Sequence, residues 1–180
     1  MSIDLTFFTS HLYATLLPLS LSPDLELSAN SLRLPDPTTH LPPQRRINVS
    51  TEIEMLLRAL NSLFFSQSHS HLQKFTTPIR LAAFAKRMAT ASLNMPEKST
   101  LAIVGLLSKL SAKHKRRLQT LFSTEDVVGD GTYRIDVDEP EISNPFAATI
   151  WETALLKNHY SPKVAQAARE LPKLFSNRSA

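Results

Sequence analysis

No cysteine occurs in the 180 residues, and only three of them are glycine. The first absence excludes a disulfide scaffold, thiolate metal sites and a cysteine nucleophile, and it fits a reducing compartment. The second argues against a many-stranded sheet, because tight hairpins draw on glycine or asparagine for positive φ at their turns. Long hydrophobic runs are lacking too. The longest, residues 101–107, falls far short of the ~20 apolar residues that span a bilayer. No lysine or arginine precedes Arg33, so the start has neither the basic region of a signal peptide nor the arginines of a transit peptide. An intracellular chain is expected.

Proline, by contrast, is plentiful, at twelve residues. With 42% hydrophobic and 20% charged residues, the composition predicts one globular domain over 1–180. The net charge of +4 hides an asymmetry. Residues 1–32 carry three acids and no base. Residues 86–117 carry eight basic residues against Glu97 alone, and residues 125–141 carry seven acids against Arg134 alone. Such polarity suits contact with a charged partner, nucleic acid being the obvious class.

The periodicity is helical throughout. Leu5, Phe8, Leu12 and Leu16 predict a helix over 4–17 that Pro18 ends. Residues 22–48 hold five prolines and no sustained period, so a Pro-rich mobile loop is expected there. Thr51 and Glu54 form a capping-box pattern ahead of Ile53, Leu56, Leu57, Leu60, Leu63 and Phe64, a single apolar face. Pro78, Pro96, Pro145 and Pro162 each follow a polar residue or short turn and are placed to open a helix, where a missing N–H costs nothing. They predict helices over 78–93, 96–110, 146–159 and 163–171, the last closed by Pro172. The helix at 96–110 is apolar nearly all round and should be central. Intervals of 18 and 17 residues between paired prolines describe two antiparallel hairpins, near 78–112 and 145–171. The expected fold is therefore all-α: stacked antiparallel helical hairpins, a HEAT-like α-solenoid segment, with an acidic connection over 123–143.

Reactive constellations are absent. Neither nucleotide-binding glycine loop occurs, nor the H-E-x-x-H metal signature, and Asp136, Asp138 and Glu141 lack the spacing of an EF-hand. His69 and His71 read as polar loop residues without further ligands nearby. No catalytic residue, cofactor or metal is expected, and the chain reads as non-enzymatic. Two features remain. Lys109, Lys113, Lys115, Arg116 and Arg117, with His114, either pair with successive phosphates or form a solvated helix end whose cations favour the preceding helix dipole. Trp151, the only tryptophan, either packs into the second hairpin or anchors an interface. Asp136, Asp138 and Glu139 are further candidates for partner contact.

Several runs also carry a family likeness. Gly131-Thr132-Tyr133, the run from Glu139 to Asn144, Thr149-Ile150-Trp151-Glu152, Leu155-Leu156 and the run from His159 to Val164 resemble the CCAAT-binding-factor domain of the nucleolar complex proteins. Upstream, Ser10-His11-Leu12-Tyr13, the run from Arg80 to Arg87 and Leu101-Ala102-Ile103-Val104 look most like the nucleolar complex protein three branch. The resemblance implies a C-terminal fragment of a longer, non-enzymatic scaffold of the nucleus and nucleolus. Its implied work is assembly and transport of pre-60S ribosomal particles. The implied partners are the second nucleolar complex protein, the pre-60S particle and its pre-rRNA, with no membrane. Contact with chromatin and a role in replication initiation are implied as the alternative, an RNA- or DNA-contacting module.

Overall fold

A computed structural model of the chain describes residues 6–27, 51–65, 77–123 and 129–176. Among them run seven α-helices: α1 (Thr6–Ser20), α2 (Glu52–Phe65), α3 (Pro78–Ser92), α4 (Glu97–Lys113), α5 (Lys115–Phe122), α6 (Glu152–Leu156) and α7 (Pro162–Ser176). Two single 3-10 turns, Pro140–Ile142 and Pro145–Ala147, precede α6, and no strand occurs among the described residues. The all-α, solenoid-like architecture expected from scarce glycine and proline-opened stripes is what forms.

Local chemistry starts the helices. The Thr51 hydroxyl accepts the Glu54 N–H at 3.3 Å, and Thr77 accepts the Arg80 N–H at 3.2 Å with Pro78 in the first turn. Each bond satisfies an amide that has no helical partner. Between α3 and α4 the hydroxyl of Thr100 donates to the Ser92 and Met95 carbonyls at 3.0 and 2.9 Å, stapling the hairpin.

The central helix is α3, not the apolar helix at 96–110. Every residue from Leu81 to Ala89 is buried, Lys86 and Arg87 included. Its alanines (Ala82, Ala83, Ala85, Ala89 and Ala91) let α1, α4, α5, α6 and both 3-10 turns approach it closely. Two buried cations lower its mean hydropathy, which is why the sequence hid it. α4 forms the second interior layer, burying Ile103, Val104, Leu106, Leu107 and Leu110 among α2, α3 and α7.

Four helices differ from expectation: α4 starts at Glu97, with Pro96 as its cap residue, and runs to Lys113 rather than 110. α1 continues through Pro18 to Ser20, and its buried stripe is Thr9, Leu12, Tyr13, Leu16 and Ser20, with Phe8 exposed. α7 likewise runs through Pro172 to Ser176. Both prolines fall near a helix end, where packing of the amphipathic face outweighs one lost hydrogen bond. The expected helix over 146–159 is broken. After the turn at Pro145, Ala148 is extended (φ −141, ψ 146) and only the five residues of α6 are α-helical. Tertiary bonds take the place of helical ones there: the Ile150 N–H donates to the Leu121 carbonyl at 2.8 Å, and the Thr149 carbonyl accepts from Lys86 at 2.6 Å. The 78–112 hairpin is thus complete. The second is lopsided, with a short α6 and a long α7 that lies against α4.

The described part of the acidic connection, 129–143, is a strap. Arg134 N–H bonds the Ser143 carbonyl at 2.8 Å, Gly129 N–H the Phe146 carbonyl at 3.2 Å, and Asn144 Nδ2 the Asp130 carbonyl at 2.8 Å. Gly131 takes φ +90, a conformation that side chains with a Cβ resist. Of the Pro-rich 22–48 segment, 22–27 are described and docked. Leu25 is fully buried, and a Glu26 carboxylate oxygen accepts the Ser99 N–H and hydroxyl at 3.0 and 2.7 Å, capping α4. Residues 28–48 lie outside the described residues.

Candidate functional site

Successive residues on a helix point ~100° apart, so Lys86 and Arg87 of α3 serve two different sides. Lys86 is 1% exposed and meets Glu152 of α6, also 1% exposed, with Nζ 2.9 Å from each carboxylate oxygen. Its third partner is the Thr149 carbonyl at 2.6 Å. Thr90, one turn on, donates to the same carboxylate at 2.6 Å. The Trp151 and Tyr133 rings stand 5.2 and 5.7 Å from Nζ. Burial pulls the Lys86 pKa below its ordinary value, and the Glu152 hydrogen bond and charge oppose that pull. Burial, followed by the neighbouring Tyr13, pushes the Tyr133 phenol upward.

Arg87 works the other side. One terminal nitrogen donates to the Tyr13 carbonyl of α1 at 3.1 Å; the other donates to the carbonyls of Ile135 and, at 2.8 Å, Val137 of the strap. Its guanidinium lies 3.9 Å from the Tyr13 ring centre. Arg80 adds an ion pair with Glu141. Lys86 and Arg87 therefore clamp α1, the strap and the Thr149–Glu152 segment onto α3. The Lys86 and Glu152 charges are matched and enclosed, whereas Arg87 is enclosed with carbonyl oxygens and the Tyr13 ring as its partners. The clamp offers no nucleophile or base to a substrate, and it fits the pattern in which buried ion pairs specify one arrangement more than they stabilise it.

Sequence reasoning missed this clamp. A Lys-Arg pair in a helix normally means a solvated face, and here it faces inward. The available signal was the alanine-rich surround and the position of Lys86, Arg87, Tyr13, Tyr133 and Glu152 inside the runs that carry the family likeness. Of the two readings of Trp151, exposure opposes packing into the hairpin and leaves it a candidate for partner contact. It is 52% exposed rather than packed in the hairpin, because Glu152 takes the inward direction and the indole only covers Lys86.

The basic residues converge where α4 breaks into α5 at His114 (φ −119, ψ 35). Lys109, Arg116 and Arg117 are exposed and Lys115 is half-buried. Residues 112–117 line an open depression of about 640 Å³. Lys113 has a structural task as well: its Nζ donates to the Phe64 carbonyl at 2.8 Å and lies 5.2 Å from the Phe65 ring, capping the negative end of α2. Burial, then Lys113 and Arg117, hold the His114 pKa below its usual value. Asp136, Asp138 and Glu139 are exposed on the strap. Asp138 borders a second depression of about 820 Å³, shared with Ala14, Thr15, Pro18 and Leu19 of α1, Ser22, and Glu52 of α2. The candidate residues thus fall into separate surfaces rather than one site. No group of three metal-ligating side chains occurs among the described residues, and His69 and His71 lie outside them.

A family model described as the CBF/Mak21 family matches residues 1–168. Nucleolar complex-associated protein 3 of Schizosaccharomyces pombe is 39% identical over 176 residues, which cover 98% of this chain and 22% of that protein. Its namesake in Saccharomyces cerevisiae is 39% identical over 170 residues, covering 94% and 25%. Nucleolar complex protein 4 homolog of Gallus gallus is 31% identical over 120 residues, covering 65% of this chain and 22% of its own. The chain thus spans about a quarter or less of the length of these relatives.

Proposed function

The chain belongs to the CBF/Mak21 family, and on that premise we propose that it is a non-enzymatic nucleolar scaffold in assembly and transport of the large (60S) ribosomal subunit precursor. It binds another assembly factor, the second nucleolar complex protein, through its helical surface. Relatives named for a nucleolar complex cover nearly the whole chain, and its place is the nucleolus of the nucleus.

One observation carries the scaffold reading. The runs that bear the family likeness meet at the buried clamp of Lys86, Arg87, Tyr13 and Glu152. What the residues build together is a rigid frame with its charges enclosed, and such frames present surfaces rather than reactive groups. Capture of the second nucleolar complex protein by this chain, with and without nuclease, tests the reading. Capture that survives nuclease is expected. No capture at all refutes it.

A second reading has its own support, the concave basic corner at residues 112–117. There the chain contacts pre-rRNA phosphates, the contacts that position a nucleic acid without reading its sequence. Contact with chromatin, and any part in replication initiation, would use the same corner. Capture abolished by nuclease favours this reading.

A further inference from the structure

The depression between α1, α2 and the acidic strap is unlike the basic corner in lining and charge. Ala14, Pro18 and Leu19 give it an apolar floor, and carboxylates from two separate elements, Glu52 and Asp138, stand at its margin. Leu21, 70% exposed, adjoins the lining residues Leu19 and Ser22, and Met55, 54% exposed, lies one turn along α2 from Glu52. The surrounding charge is predominantly negative: residues 6–27 contain Asp24 and Glu26 and no lysine or arginine, and 129–143 contain five acids against Arg134. Of those five, Glu141 is matched by Arg80, whereas Asp136, Asp138 and Glu139 meet no cation among the described residues.

The margin is also held in place. Arg87 grips the carbonyls of residues 135 and 137 from below, leaving the carboxylates of Asp136 and Asp138 exposed. A margin fixed before binding loses little conformational entropy when a partner arrives. We propose that this groove docks a lysine- or arginine-bearing amphipathic segment of a partner protein, its apolar side on Ala14, Pro18 and Leu19 and its cations against Glu52 and Asp138, with the exposed Asp136 two residues along the strap. The inference rests on the scaffold reading and gives it a surface. A polyanion is repelled here. The Lys113–Phe64 contact places the basic corner at the other end of α2, about 18 Å along the helix axis from Glu52, so the chain is bipolar along that helix.

The test uses this chain with two labelled probes, a 15-residue leucine/lysine amphipathic peptide and its leucine/glutamate counterpart, and then the second nucleolar complex protein. The lysine peptide should bind and the glutamate peptide should not. Asp136→Lys with Asp138→Lys should weaken the lysine peptide about tenfold. Thr15→Arg, at an exposed lining position, should weaken it comparably by obstruction, and Arg116→Ala with Arg117→Ala should change nothing. Circular dichroism checks that each variant folds. If a lysine peptide without leucines binds equally well and ignores Thr15→Arg, the attraction is general charge and the groove is not a site. Self-association of the chain that disappears in the same variants would also overturn the proposal, making a second copy the occupant. If nuclease-resistant capture of the second nucleolar complex protein continues undiminished in the groove variants, the groove proposal fails and the scaffold reading stands. If the peptide binds as expected but no assembly factor is captured, the scaffold reading fails and the groove remains.

Discussion

Replacing Glu152 by Gln isolates the charge of the buried clamp while keeping its shape. The side chain still accepts from Thr90 and Lys86, but Lys86, 1% exposed, loses its counter-charge. Removing one partner of a buried pair typically costs about 3–5 kcal/mol, because the remaining ion is left uncompensated. For a chain of this size each kcal/mol moves the midpoint by roughly 2–4 °C, so Glu152→Gln should lower Tm by roughly 6–20 °C. The sign of the pH response follows from the causes acting on Lys86. Burial lowers its pKa in the folded protein, and the two opposing influences both come from Glu152; without them the folded value falls further. Between that value and the unfolded value near 10.5, the unfolded chain binds more protons, so stability rises with pH. The gap between wild type and variant should be widest near pH 7 and narrow towards pH 10. Lys86→Met combined with Glu152→Leu should recover most of the loss, since an apolar pair of similar volume has no ion to leave stranded. Thermal and urea unfolding followed by circular dichroism at pH 7 and 9.5 reads all of this. A Glu152→Gln cost below about 1 kcal/mol, or a gap that does not change with pH, would refute the claim that an enclosed charge pair holds α6 to α3.

Arg87→Lys keeps the charge but not the fork that reaches three carbonyls; a loss of about 2–3 kcal/mol is expected, with faster amide exchange over 134–139. Lys115→Ala, Arg116→Ala and Arg117→Ala together should flatten the log–log salt dependence of single-stranded RNA binding by about two units. Adding Lys113→Ala should also cost about 1 kcal/mol of stability, because its ammonium caps α2; an unchanged salt slope would return the corner to a solvated helix end. Gly129→Ala should destabilise by about 1–3 kcal/mol, since a Cβ would meet the Phe146 and Ala147 backbone at 2.8 Å, whereas Gly105→Ala, with nothing within 4 Å, should stabilise α4 by up to about 1 kcal/mol. Urea midpoints of the two glycine variants moving in the same direction would contradict this assignment.

Helix identity was legible because it is a local property. The stripe of α2, the Thr51 capping pattern, and the all-α class follow from residues within a turn or two of one another. The family likeness was equally readable, being carried by short runs. The basic corner too could be located, since adjacent residues share a helix end whatever the rest of the chain does.

Other features depended on distant partners. Whether a proline ends a helix is decided by what the following turn can bury, and the turns after Pro18 and Pro172 had packing to gain. Ala148 and Thr149 leave the helix expected at 146–159 because Lys86, more than sixty residues away, takes a carbonyl that a helix would have kept. Exposure of Trp151 and burial of Glu152 reverse what their residue types imply, as a charge can go inside only where the fold supplies a counter-ion or hydrogen-bonding partners for it. The sequence determined which segments are helical, where charge accumulates and which family the runs belong to, because those depend on neighbours along the chain. Only the tertiary structure decided that Lys86 and Arg87 are buried at the centre while Asp136 and Asp138 stay exposed. The direction of a long charged side chain depends on partners brought together by the fold, and no local pattern records them.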